Sequence, residues 1–259
     1  MLKEDLKSEL YLEIGSNNYS YALVYPSHDE KIEAYHSETL IFNDLEKDLL
    51  QTSFVRTKIS LGCKKFTFIP TKIFNSADLG IYTPYLQATE NETIFTYNLP
   101  DLGFTAVYAL ENLILDKLER HFTEAVIYPQ FIPFLLATNK LKQKENTTNI
   151  FVNFKSNSLE IALFKNDKFQ FYNNFLFENE DEAIYFILLV AQQNTLVLAD
   201  LNVTLSGEIK NESDLIQKIK AHLPNTSLVN QQNLSAFYQN SNPVEFSNYF
   251  SLLSLYLCA

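Results

Sequence analysis

Apolar and polar positions alternate over Ile150–Phe154, Leu159–Phe164 and Lys168–Phe177. The polar turns Ser156–Ser158 and Asn166–Asp167 separate the three runs. A period of two in aromatic and β-branched residues predicts strands, and breaks of two or three polar residues predict hairpins. The period then changes. Between Glu180 and Leu198, residues Ala183, Phe186, Ile187, Val190 and Ala191 recur at three and four, the spacing of a helix face. Asn179, or the acidic run Glu180, Asp181 and Glu182, is placed to cap that helix. Leu201–Leu205 reads as a strand stopped by Ser206 and Gly207. Ser213–His222 reads as a helix stopped at Pro224, and Ser227–Val229 as a short last strand. The order is βββαβαβ.

The preceding half is patterned in the same way. Strands are predicted over Ser8–Ile14, Tyr19–Tyr25 and Lys31–His36, followed by a helix over Asn43–Gln51. Phe54–Leu61, Lys65–Ile69, Glu92–Asn98, Phe104–Ala109 and Ala125–Tyr128 read as further strands. Pro70–Asn75 and Asp78–Gln87 read as short helices. Leu110–His121 reads as a helix with Leu110, Leu113, Ile114 and Leu118 inward, and Pro129–Lys142 as a helix with Pro in its first turn. Gln143–Thr148 has no apolar residue and is the expected boundary between an N-terminal lobe, 1–145, and a C-terminal lobe, 146–259.

The halves also align. Leu10–Val24 lies on Ile150–Phe164 without a gap, matching Ser16 to Ser156, Asn17 to Asn157, Ala22 to Ala162 and Leu23 to Leu163. With the shared order of elements, this implies an internal duplication.

The chain has 259 residues, 31 acidic against 20 basic, for a net charge of −11. Such a surface repels polyanions, so neither a nucleic-acid partner nor an anionic membrane is expected. The N-terminus lacks the apolar run of a signal peptide, and Ala183–Leu198, broken by Gln192, Gln193 and Asn194, is too short to span a bilayer. A cytoplasmic location is expected. The only cysteines, Cys63 and Cys258, have no metal or redox spacing and read as isolated thiols. Asn248–Cys258 is apolar nearly all round and is expected to pack on its own lobe.

Little chemistry is visible. The five glycines are too scattered for a dinucleotide or P-loop fingerprint. The four histidines show no ligand pairing, and no metal site is expected. Glu13 is either an acid facing phosphate or an outward strand residue beside a turn, and the second reading is expected. The acidic run at 178–182 reads as a helix cap. Tyr172, Phe175, Phe177, Tyr185 and Phe186 read mostly as core.

Two βββαβαβ halves in tandem resemble the actin-like, ribonuclease-H-like ATPase superfamily. The resemblance implies an α/β fold of two lobes, each a mixed sheet opening with three antiparallel strands and flanked by helices. It also implies a nucleotide and magnesium cleft built on Asp-x-Gly turns and a glycine pair. Here the corresponding positions are Glu13 and Gly15, Asn153 and Ser156, and Gly207 and Glu208. Asn153 removes a charge that magnesium would need, and glycine is missing where backbone would have to approach phosphate. More specifically, Phe54–Phe74, Val107–Pro129 and Asn173–Gly207 resemble domain-of-unknown-function family 3822 of the Bacteroidetes. The resulting expectation is a non-catalytic protein with an eroded nucleotide site, no cofactor, and an unknown protein partner. The alternative is a divergent ATPase or kinase that uses ATP and magnesium with Glu13 as the metal acid. Oligomeric state is left open.

Overall fold

The computed structural model describes residues 8–15, 18–25, 31–37, 54–142, 147–209, 213–229 and 247–259. The expected helix Asn43–Gln51 lies outside them. The chain divides into two compact units, residues 1–26 with 33–130, and residues 27–32 with 131–259.

In the first unit β1 (Glu9–Ile14), β2 (Tyr19–Tyr25), β3 (Lys31–Ser37), β4 (Arg56–Leu61) and β8 (Val126–Pro129) form a sheet in the order β3-β2-β1-β4-β8. The β1–β2 pair is antiparallel, whereas β1–β4 and β4–β8 are parallel. Between β4 and β8 the chain builds a second, antiparallel sheet. Its order is β5-β7-β6, from β5 (Lys65–Pro70), β6 (Glu92–Leu99) and β7 (Phe104–Glu111). One face of this sheet is closed by the 3₁₀ turn Leu79–Tyr82 and α1 (Thr83–Leu86), which put Tyr82 and Leu86 on Val107 and Ala109. The expected helix over Pro70–Asn75 is instead a tight turn, in which the amides of Ile73 and Phe74 both donate to the Pro70 carbonyl. In α2 (Asn112–His121) only Leu118 is buried, and Leu113, expected inward, is 65% exposed. Five residues at 100° each set it about 140° around the helix from Leu118, off the narrow contact stripe.

The second unit has the sheet order β11-β10-β9-β12-β13, from β9 (Thr148–Phe154), β10 (Ser158–Lys165), β11 (Lys168–Leu176), β12 (Leu201–Gly207) and β13 (Thr226–Leu228). The β9–β10–β11 meander is antiparallel, and β9–β12 and β12–β13 are parallel. On one face Ile150, Val152, Leu159, Ile161, Val203 and Leu205 form a core with residues of α4 (Glu180–Gln193) and α5 (Asp214–His222). The other face meets α3 (Phe131–Leu141) and a C-terminal segment, α6 (Phe250–Leu253) running into a 3₁₀ turn at Ser254–Leu257. Phe134 links them, its ring 6.2 Å from Tyr172 and 6.1 Å from Phe250. The helix that precedes the polar joint thus packs within the second unit, and Asn248–Cys258 docks on its own unit as expected. The acidic run does cap α4. Asn179 Oδ1 accepts from the Glu182 amide, and Glu182 Oε2 from the Glu178 amide. Tyr185 departs from its expected core place and is 57% exposed.

The aligned segments hold matching places. Leu10 pairs with Leu23 as Ile150 pairs with Leu163, and Glu13 with Ser20 as Asn153 with Glu160. On the other side Glu13 lies opposite Ser60 in β4, and Asn153 opposite Ser206 in β12.

Candidate functional site

In open α/β sheets ligands bind beyond the carboxyl ends of parallel strands. In the second unit those ends are Phe154 of β9, Gly207 of β12 and Leu228 of β13. In the first they are Ile14, Leu61 and Pro129. The sequence-predicted residues sit at these two places, and the structure adds others.

At the second end a carboxylate is fully enclosed. Glu160 has no exposed surface. Tyr172 donates its hydroxyl to Glu160 Oε1 at 2.5 Å, and Asn153 donates Nδ2 to Oε2 at 3.1 Å. Lys155 Nζ stands 3.4 Å from the same Oε2. Ser206 donates its hydroxyl to Asn153 Oδ1 at 3.0 Å, and both residues are buried. A carboxylate removed from water needs a cation and several donors to offset its lost hydration, and this one has them.

Gly207 closes the arrangement. Its φ is +86°, and an added Cβ would collide with the Phe154 carbonyl oxygen and stand 2.8 Å from Asn153 Oδ1. Only glycine fits both the left-handed backbone and the approach. Its amide donates to the Ser247 carbonyl at 2.6 Å, and the Glu208 amide donates to the Phe154 carbonyl at 2.8 Å. The structure therefore brings Asn153 and Gly207 together. Ser156 is exposed in the hairpin turn, where the flanking Lys155 amide donates to Ser158, and the Glu208 side chain is exposed beyond β12.

At the first end Glu13 is half-buried between Ser20 and Ser60 in register. Gly15 makes the turn, its amide donating to the Asn18 carbonyl at 2.9 Å. The Gly62 amide donates to Ile14 at 2.9 Å and the Gln130 amide to Leu61 at 2.8 Å, so all three strand ends are laced together. Ser60 Oγ and Gln130 Nε2 are buried and bonded to none of the described residues. Ser60, Gln130, Lys155, Glu160 and Tyr172 carry no motif. Only strand pairing between distant segments, or burial from both sides, identifies them.

Among the described residues there is no group of three His, Cys, Asp or Glu able to hold a metal ion. Burial pushes the Cys63 thiol up to about 12, against weaker lowering by the carbonyls of Lys65 and Ala109, so it is protonated and a poor nucleophile. No helix among the described residues is long and apolar enough to cross a membrane.

The family described as "Protein of unknown function (DUF3822)" matches residues 2–226. A Bacteroides thetaiotaomicron VPI-5482 protein with actin-like ATPase fold and unknown function is similar over 100% of both chains, with a TM-score of 0.79 and 17% identity. The PilM–PilN type IV pilus biogenesis complex gives a TM-score of 0.62 at 13% identity, over 96% of this chain and 97% of that one. The cytoplasmic domain of EpsL, an inner membrane component of the type II secretion system of Vibrio cholerae, gives 0.52 at 12% identity, over 96% and 94%. No curated protein matches the sequence. The fold is that of the actin-like ATPases.

Proposed function

We propose that this chain, which belongs to the DUF3822 family of proteins of unknown function, is a non-catalytic partner-binding or scaffold protein of the cytoplasm. In this reading two ribonuclease-H-like lobes descend from one duplicated unit, and the nucleotide site of the second has eroded. One observation carries it. The Gly207 amide is taken by the Ser247 carbonyl while Asn153 is taken by Glu160 and Ser206. Phosphate binding needs unengaged backbone amides, and magnesium needs carboxylate oxygens open to it. At this strand end those groups are spent on the protein's own chain. The likeness to one member of the PilM–PilN complex and to EpsL, a secretion-system component, agrees with a fold of this kind serving inside an assembly.

A second reading, a divergent nucleotide-binding ATPase or kinase, draws on the first strand end. There Ser60 Oγ, on the residue opposite Glu13 in register, and Gln130 Nε2, whose backbone amide donates to Leu61, lie buried without a described partner. Thermal denaturation with and without Mg-ATP separates the two. A ligand at a hundredfold excess over Kd stabilises by about 2.7 kcal/mol. The scaffold reading expects an unchanged Tm and no hydrolysis. A raised Tm that Glu13→Gln abolishes would replace it with the second.

A further inference from the structure

Strand edges invite pairing with other chains, and proteins blunt them with charge, proline or shortness. Strand β6 is an outer strand of the three-stranded sheet and pairs only with β7 among the described strands. Its backbone parity is fixed at one end. The Asn112 amide donates to the Asn91 carbonyl at 2.9 Å, so the register carries bonded pairs on to Thr93, Phe95, Tyr97 and Leu99. The intervening residues turn their amides and carbonyls away from β7. The Glu92 amide accordingly donates to the Thr89 carbonyl at 3.1 Å, outside the sheet. The next three, Ile94, Thr96 and Asn98, have no backbone partner beyond the sheet among the described residues. Thr96 and Asn98 are exposed, and α1 leans on β5 at the opposite edge.

This edge lacks the usual guards. Strand β5 ends at Pro70, and β8 and β13 are four and three residues long. In β6, Thr93–Asn98 holds no charge, glycine or proline. Its charged residue, Glu92, is engaged by Lys65 at 2.6 Å and by the Thr89 amide at 2.8 Å.

Charge decides what fits the edge. From Ala88 to Asn112 the sequence has four carboxylates and no lysine or arginine. Glu90 precedes β6, Glu111 pairs with Glu92 at its start, and Asp101 lies in the turn after it. All three are exposed and ion-paired with none of the described residues. Antiparallel pairing with a second copy, centred on Thr96 so as to use all three outward residues, would set the copy's Asp101 beside Glu90. Like charges at both ends disfavour that occupant.

We propose that the outer edge of β6 takes an extended segment of a partner protein as an added strand, with β-branched residues between basic ends. This gives the partner-binding reading a surface and a partner chemistry, and it rests on that reading. Main-chain bonds from Ile94, Thr96 and Asn98 hold the segment, and Glu90, Glu111 and Asp101 select its basic ends. Phe95 and Tyr97 on one face of β6, and Ile94 on the other, are half-buried and offer cross-strand contacts to its side chains.

Fluorescence anisotropy of the full chain with the labelled peptide Lys-Lys-Val-Thr-Val-Thr-Val-Lys-Lys, in nucleotide-free buffer, tests this apart from the Mg-ATP melts. Saturable binding is expected. Thr96→Pro removes an amide that β7 does not use and should abolish it. Asp101→Lys should weaken it roughly three- to tenfold, and the same peptide core flanked by glutamates should not bind. Amide exchange followed by NMR needs no variant. The peptide should slow Ile94, Thr96 and Asn98 and leave Thr93, Phe95 and Tyr97, already bonded to β7, unchanged. If Thr96→Pro fails to fold, that exchange pattern decides alone. No binding, binding that Thr96→Pro or glutamate flanks leave intact, or slowing confined to other amides overturns the proposal. So does a concentration-dependent self-association that Thr96→Pro abolishes, which gives the edge to a second copy. Failure here beside an unchanged Tm in Mg-ATP removes this site and leaves the partner-binding reading standing.

Discussion

Asn153 donates its side-chain amide to Glu160 across the β9–β10 hairpin at 3.1 Å, in the register position where Glu13 faces Ser20 in the first hairpin. The two hairpins thus carry their carboxylate on different strands. In the first hairpin it stands on the leading strand and keeps some exposure. In the second it stands on the returning strand, enclosed by Asn153, Tyr172 and Lys155.

Placing an acid on the leading strand of the second hairpin should therefore harm the protein. Asn153→Asp sets a second carboxylate against buried Glu160 and removes a donor, at a cost of about 3–5 kcal/mol. The deficit should be larger at pH 8 than at pH 5, because a shared proton relieves two adjoining carboxylates. Denaturant melts at both pH values check this, and equal deficits would contradict it.

Gly207→Ala should destabilise by about 3 kcal/mol or more. It adds the left-handed penalty of a non-glycine residue to a collision with the Phe154 carbonyl. Gly103 also has a positive φ, +79°, but open space around it, so Gly103→Ala should cost only the conformational part, about 1–2 kcal/mol. The difference between the two variants in urea isolates the steric component.

The Cys63 thiol predicts a loss of stability in alkali. Its ordinary value of 9.0 applies to the unfolded chain, and burial raises it to about 12 in the fold. Below pH 9 both states hold the proton and the contribution is complete. Between 9 and 12 the unfolded state alone releases it, so stability falls as pH rises. Burial raises the Tyr108 hydroxyl in the same sense. Cys63→Ala should flatten part of this slope in chemical denaturation at pH 8 and pH 10.5.

Asn179→Ala should lower stability by about 1 kcal/mol through loss of the α4 cap. Lys218 bridges Glu180 and Asp181 on the surface, and Lys218→Ala should change Tm very little. Paired thermal melts separate a cap from a solvated ion pair.

What could be read from the residues was what local periodicity records. Alternation fixes which side of a strand a residue takes, and an ungapped match between Leu10–Val24 and Ile150–Phe164 carries pairing from one hairpin to the other. Glu160 was illegible for the same reason. Between Leu159 and Ile161 it reads as the polar side of a half-buried strand, yet α3 and the segment around Phe250 cover that side from far away in sequence. Ser60 and Gln130 are likewise joined only by the pairing of β4 with β8. Leu113 misled because a helix resting on one narrow stripe leaves its flanking leucine in water. The candidate site residues Asn153 and Gly207 could be located in advance, but their bonding partners could not.

The docking of α6 onto α3 also bears on how the second unit is synthesised. Phe134 waits for Phe250, and the turn at Gly207 waits for Ser247. Until translation reaches those residues, the nascent sheet exposes a greasy flank to chaperones and to neighbouring chains. Stalled or prematurely terminated products should be the most prone to aggregate.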